Sequence, residues 1–174
     1  MQAPLVGPAN PTPARFPPPS SVGHLVLTAL VSLELVLLGI QFALGMFLNL
    51  FVALPPFGSY GMMGMMSASG MPALMAHMMI GYALGALSLV TLAGTVAVAA
   101  RNRLLVGTTA ATFTSILAAG IGGLAFLFGR QNGADSYVMS TGFLFAFSFA
   151  FLSLLLVTGG EWREPPVPGL PGPR

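Results

Sequence analysis

Four long apolar segments dominate this sequence, at residues 24–54, 72–100, 104–128 and 137–157. Each is long enough for an α-helix to cross a hydrocarbon core, which takes about 20 residues. The four segments together contain one charged side chain, Glu34. Because only 6% of the residues of the chain are charged, it cannot present the polar surface of a water-soluble domain of this size. The sequence therefore predicts an all-α integral membrane protein with four spans.

Proline-rich segments flank the four spans. Seven prolines within residues 1–20 remove backbone donors and forbid a continuous helix, and residues 159–174 are also rich in proline. We therefore predict a transmembrane domain at 21–158 between two disordered tails.

The connections and the arginines predict the topology. The short connections between the second, third and fourth spans favour an antiparallel, up-down four-helix bundle. Four spans put both termini on one side, and the arginines divide unequally between the two sides: Arg15, Arg101, Arg103 and Arg163 against Arg130 alone. Because cytoplasmic loops carry the excess of positive charge, both termini are predicted to be cytoplasmic. Arginine without lysine, with many Gly, Ala and Pro, is typical of a GC-rich bacterium, so we expect a multi-pass protein of the bacterial inner (plasma) membrane.

Polar residues of the first span form a spaced row. Glu34, Gln41 and Asn49 are separated by seven and eight residues, which predicts one helical face turned into the bundle. A charged acid near the middle of a bilayer costs roughly 3 kcal/mol, so Glu34 needs partners there. Two interpretations stay open. Glu34 is either a protonated acid that is hydrogen-bonded to neighbouring helices, or a proton-relay or substrate-binding group.

The second span carries a matching row of small and polar residues. His77, Gly81, Gly85 and Ser88 recur at intervals of three to four, and Thr108, Thr112 and Ser115 form a similar row in the third span. We predict that these rows meet the first span in one interior polar seam.

The connection between the first two spans is dense in methionine and leads to a histidine. Soft thioethers and an imidazole are ligands that suit Cu(I), and the candidates are His77, Met75, Met78, Met62 and Met65. Methionine is also a flexible apolar filler, so a loop that folds back onto the bundle is the alternative.

His77 is also a candidate axial ligand of haem b. Gly81 and Gly85, one and two turns further along, would leave room for a flat macrocycle. The second ligand within one chain would be Met46, and a homodimer would supply a second His77. Haem, Cu(I) and no cofactor at all are thus the three alternatives.

Three segments of the chain resemble a known family: LGIQFALGMFLNLF at residues 38–51, AHMMIGYALGALSLV at 76–90 and RNR at 101–103. They are similar to the first helix pair of one four-helix half of heme A synthase, and the chain also resembles small four-span bacterial membrane proteins of unknown function. The resemblance implies a helical bundle in which His77 faces haem.

The inventory of side chains limits the function further. The chain contains no lysine and no cysteine, which excludes disulfides, thiolate sites and Schiff-base chemistry. Its six arginines are too scattered to form a nucleic-acid-binding face. No motif of a known catalytic constellation is present, so enzymatic activity is not predicted. Two functions remain open. One is an accessory or interaction subunit, haem- or quinone-associated through His77, acting in the bilayer as a homo-oligomer or in a larger complex. The other is a small transporter or copper-handling protein that uses the polar seam.

Overall fold

The computed structural model describes residues 21–52, 70–129 and 133–159. Four α-helices occupy these ranges, and the described residues contain no strand: α1 Ser21–Phe51, α2 Met71–Ala99, α3 Arg103–Phe128 and α4 Gly133–Thr158. All four are long and apolar enough to cross a membrane. The prediction of an all-α protein with four spans is confirmed at this level. The predicted tails lie outside the described ranges apart from Gly159, as does most of the methionine-rich connection.

Local signals explain where the helices begin and end. Pro72 lies in the first turn of α2, where its missing amide has no helical partner to lose. Asn102 caps α3, since its side-chain oxygen accepts a hydrogen bond from the amide of Leu105 at 3.0 Å. The helix α4 begins at Gly133, four residues before the predicted start of the fourth span at Tyr137.

Each helix buries a row of residues spaced by three and four. The row of α1 contains Leu27, Val31, Glu34, Leu38 and Leu48, and the row of α2 contains Leu74, Leu84, Ser88, Thr91, Thr95 and Ala99. This alternation averages 3.5 residues, which is the repeat of helices that pack at small crossing angles in bundles. Three phenylalanines of α4 lie outside this packing, since Phe145, Phe147 and Phe151 are exposed, whereas Phe143 packs against the core.

The core is built in three clusters along the bundle. The central cluster draws on all four helices: Leu38, Leu84, Ile116, Ala146 and Ala150. A second cluster joins Leu48, Leu74 and Leu127, and a third joins Ala99, Leu105 and Val157. We call the second the Leu48 cluster. The contacts connect α1 with α2, α2 with α3, α3 with α4 and α1 with α4, and the α3–α4 pair is the most extensive.

The helices α3 and α4 touch backbone to backbone. A Cβ atom placed on Gly122 would lie 2.8 Å from the amide nitrogen of Met139, and one on Gly142 would lie 2.8 Å from that of Ala119. Further along the same interface the Ser153 hydroxyl donates to the Thr108 hydroxyl oxygen at 2.8 Å. Small residues at these positions thus permit the close approach, as is usual between membrane helices.

Candidate functional site

Two polar side chains meet between α1 and α2. Gln41 Nε2 lies 3.3 Å from His77 Nε2, and both side chains are half-buried. Glycines make the approach possible, because a Cβ on Gly45 would lie 3.2 Å from His77 Cε1 and one on Gly81 would lie 3.3 Å from Gln41 Nε2. The sequence placed Gln41 and His77 on inward rows, but not in contact with each other. We call them the amide–imidazole pair.

The amide–imidazole pair leaves two buried atoms without hydrogen-bond partners, Gln41 Oε1 and His77 Nδ1. With the Gln41 amide in this orientation, its NH₂ group donates to His77 Nε2, so a neutral imidazole carries its proton on Nδ1. One acceptor, Oε1, and one donor, Nδ1–H, are then unsatisfied. If the amide is turned over, Nε2–H donates to the amide oxygen, and the unsatisfied groups become an amide N–H and the Nδ1 lone pair. In either arrangement the pair presents one free donor and one free acceptor.

A second polar level lies deeper along α1. Glu34 is 2% exposed, and its Oε1 atom has no hydrogen-bond partner. Seven residues separate Glu34 from Gln41, which is about 10 Å along a helix. Leu38 lies between them on the buried row of α1, and Leu84 lies between His77 and Ser88 on that of α2. The predicted seam is therefore divided by the apolar central cluster into two polar levels.

The hydroxyl groups of the predicted seam are bonded within their own helices. Ser88 donates to the Gly85 carbonyl at 3.0 Å, and Thr112 donates to the Thr108 carbonyl at 2.9 Å. Their protons are thus engaged, while their oxygens retain the capacity to accept. Gly85 itself is half-buried and has open space where a Cβ would lie.

The positions of Asn49 and Met46 differ from those predicted from the sequence. Asn49 is exposed, and so is Met46, with 40% of its surface accessible. The buried row of α1 runs through Gly45 to Leu48, because the spacing of three and four persists to the end of the helix. An eight-residue step from Gln41 overshoots that row. Asn49 therefore lies outside the interior seam, and Met46, the predicted second haem ligand, lies off the inward row of α1.

The thioethers predicted as copper ligands do not share a helical face with His77. Met75 is 62% exposed, and Met78 packs against the Leu48 cluster. Residues one and two positions apart on a helix point in different directions, which explains the separation. Met62 and Met65 lie outside the described residues. Within the described ranges no group of three or more His, Asp or Glu side chains could hold a metal ion.

The residues around His77 do not fit a haem within one chain. Axial ligation needs a ring nitrogen that faces space for the macrocycle. Here Nε2 faces Gln41, Nδ1 is buried, and the ring lies against the backbone at Gly45. A groove of about 380 Å³ runs instead between α3 and α4, lined by residues such as Thr114, Tyr137 and Phe145.

One contact at the opposite end of the bundle was not predicted. His24 Nε2 lies 2.7 Å from the carbonyl oxygen of Val157 and connects the first turns of α1 to the last turns of α4. In the sequence, the only indication of this contact is that a histidine begins the first predicted span.

No family model matches the chain, and no match was found among curated proteins or solved structures.

Proposed function

We propose that this protein is a small multi-pass membrane transporter that binds a small polar solute at the amide–imidazole pair. The observation that carries the proposal is the pairing of one free donor with one free acceptor at buried atoms of Gln41 and His77. A solute that both donates and accepts, such as an alcohol, an amide or urea, would satisfy both atoms at once.

The energetics of the membrane interior support a ligand there. A buried polar group without a partner costs on the order of 1–3 kcal/mol even in proteins, and more in hydrocarbon. Three such atoms occur on the inward rows of α1 and α2: Glu34 Oε1, Gln41 Oε1 and His77 Nδ1. A bundle that only needed to fix helix packing would lose stability by keeping them. Their retention favours a role in binding.

The order of the contacts supports an up-down arrangement. Val52 lies beside Gly70 and Gly45 beside His77, so a step forward along α1 corresponds to a step back along α2. The α3–α4 contacts run in the same reversed manner, from Gly122 with Met139 to Thr108 with Ser153. Neighbouring helices are then antiparallel and both termini share one side. The connection with Arg101 and Arg103 also lies on that side, which favours cytoplasmic termini in a bacterial inner membrane.

In this topology the amide–imidazole pair lies toward the outer face and Glu34 lies deeper. The side chains of Leu38 and Leu84 form an apolar barrier between the two levels. In the described conformation this barrier is closed, so a solute cannot pass from one polar level to the other. Passage of a polar solute requires these two leucines to separate.

Solute flux into vesicles tests the proposal. Purified protein is reconstituted in liposomes, and stopped-flow light scattering follows shrinkage and reswelling after addition of glycerol, urea or acetamide. We expect faster reswelling than in empty liposomes for at least one of these probes, and a return to the empty-liposome rate in Gln41→Leu.

Asn49→Leu provides the matched control, because it removes the same amide group from the same helix at an exposed position. It is expected to keep the wild-type rate. If all three probes enter wild-type and empty liposomes equally fast, or if both substitutions have the same effect, the transport proposal is wrong. The second outcome, together with altered stability only, would favour the accessory-subunit interpretation.

A further inference from the structure

We propose that Glu34 is a proton-binding site in the middle of the bundle, at the level of Ser88 and Thr112, and that its proton is coupled to solute passage. The coupling rests on the transport function proposed above. The proton site itself does not, because it follows from the surroundings of Glu34 alone.

The depth of Glu34 is the first part of the argument. It lies 13 residues after the first residue of α1 and 17 before the last, so it is about 3 Å from the middle of the helix. A helix of this length crosses the whole hydrocarbon core, and its middle lies furthest from water. An ionised carboxylate is least stable at this depth.

The register of the helices identifies what lies at that depth. Gly45 lies beside His77; eleven residues before Gly45 is Glu34, and eleven residues after His77 is Ser88. The central cluster gives the same alignment, since Glu34 is four residues before Leu38 and Ser88 is four after Leu84. The pair Gly45–His77 and the pair Leu38–Leu84 therefore give the same register between α1 and α2, in which Glu34 lies level with Ser88.

The same step extends the level to the other two helices. From the central cluster, four residues back along α3 lead from Ile116 to Thr112, and on α4 the cluster itself extends over the same step, from Ala146 to Ala150. Thr112 is 1% exposed and Ala150 is fully buried. The level of Glu34 is thus closed to its surroundings and carries two hydroxyl groups.

The hydrogen bonds of these hydroxyls select the protonated acid. Ser88 and Thr112 each have one proton, and each donates it to a carbonyl of its own helix. Neither hydroxyl is hydrogen-bonded to Glu34 in the described conformation, and both offer this level an acceptor, which suits the O–H of a neutral carboxylic acid. They offer no free donor to a carboxylate.

No described cation lies at this level. The titratable or charged groups on the helices that pack around α1 are His77, Tyr82, Asp135, Tyr137 and Arg103. His77 lies eleven residues from Ser88, about 16 Å along α2, and both tyrosines are exposed. Asp135 and Arg103 lie in the first turns of α4 and α3. Among the described residues, the charge of Glu34 would therefore be neutralised by a proton or a small cation and not by a side chain.

Two measurements on the purified full-length protein test the site. Dicyclohexylcarbodiimide is an apolar reagent that reacts with protonated carboxyl groups. The acid O–H adds across one C=N bond, oxygen bonding to carbon and the proton moving to nitrogen. The adduct then rearranges to an N-acylurea of unchanged mass, so the protein gains the mass of one whole reagent molecule. Infrared difference spectroscopy separately detects the C=O stretch of a protonated acid.

We expect one modification, mapped to Glu34 by peptide mass spectrometry, that forms more slowly in alkaline than in acidic buffer. It should be absent in Glu34→Gln, and it should persist in Asp135→Asn, which removes the other acid of the described helices. The C=O band of the protonated acid should be present at neutral pH in the wild type and missing in Glu34→Gln.

If the wild type and Glu34→Gln show the same C=O band of a protonated acid at neutral pH, the proton site is wrong, whatever the labelling shows. Protection from labelling by sodium but not by choline would assign the site to an alkali cation instead. If label and band are found but none of the solutes moves, the transport proposal fails and the proton site stands. If solute flux is found but is unchanged in Glu34→Gln, the coupling fails and transport stands.

Discussion

A methyl group added to Gly142 should separate α3 from α4. The Cβ atom of alanine at this position would lie 2.8 Å from the amide nitrogen of Ala119 and 3.0 Å from the carbonyl oxygen of Ser115. Both are backbone atoms of α3, so no rotamer change can relieve the contact. Ordinary contact begins at 3.4 Å, and the difference from 2.8 Å means that the helices must move apart by about 0.6 Å.

That displacement weakens the whole α3–α4 interface. A gap of this size removes roughly a quarter to a half of the dispersion energy of each contact across it. Overpacked sites cost about 1–3 kcal/mol, and the better helix propensity of alanine returns up to about 1 kcal/mol. With the full propensity gain subtracted, we expect Gly142→Ala to lower the free energy of unfolding by up to about 2 kcal/mol.

Gly120→Ala, in the facing helix α3, is the control. Nothing lies within 4 Å of its Cβ position, and Gly120 is exposed. It should be neutral or stabilising by less than about 1 kcal/mol, from helix propensity alone. Unfolding is measured by circular dichroism in mixed micelles with increasing dodecyl sulfate. Equal midpoints for the two variants would refute the inference that α3 and α4 are in backbone contact.

Three further predictions test other parts of the bundle. Ser153→Ala removes the interhelical hydroxyl bond and should cost about 0.6 kcal/mol, the average for membrane proteins, whereas Ser148→Ala, which loses only a bond within α4, should cost less in the same unfolding assay. Gly45→Val should displace the His77 ring and slow solute entry into vesicles with little change in stability, while Gly39→Val, with open space around its Cβ position, should leave the rate unchanged; equal rates would contradict the assigned site. Because the chain contains no cysteine, Ala134→Cys should react with an impermeant maleimide on intact cells and Ala100→Cys only after permeabilisation; the opposite pattern would invert the topology.

Much of the helical architecture could be predicted from the sequence because the solvent is lipid. An apolar run of 20 or more residues has few alternatives in a bilayer, so the four spans were found with only their ends shifted. The inward positions of Glu34 and Gln41 followed from a seven-residue spacing, which equals two steps of the buried row. The same reasoning was wrong for Asn49, because eight residues exceed that repeat and Leu48 occupies the buried position.

The contact between Gln41 and His77 could not be predicted, because a spacing within one helix says nothing about register between two. Register depends on which side chains interdigitate across the interface, here Leu38 with Leu84 and Leu48 with Leu74. The glycines that admit the His77 ring and the Gln41 amide were visible only as small residues. Met75 and Met78 are close to His77 in the sequence, but residues two and one positions away on a helix point in other directions, so neither shares a face with His77.

The unequal packing of the bundle predicts which helices would move in the proposed transport. The helices α3 and α4 are held by backbone contacts at Gly122 and Gly142, which allow little sliding. The helices α1 and α2 meet instead through side chains and leave all three unpartnered polar atoms between their inward rows. When α1 and α2 separate, water can form hydrogen bonds with these unpartnered atoms. Separation of α1 from α2 therefore costs less free energy than separation of α3 from α4. Opening of the Leu38–Leu84 barrier is therefore expected to proceed by movement of α1 relative to a fixed α3–α4 pair. A crosslink between α1 and α2 should then stop solute entry, whereas one between α3 and α4 should not.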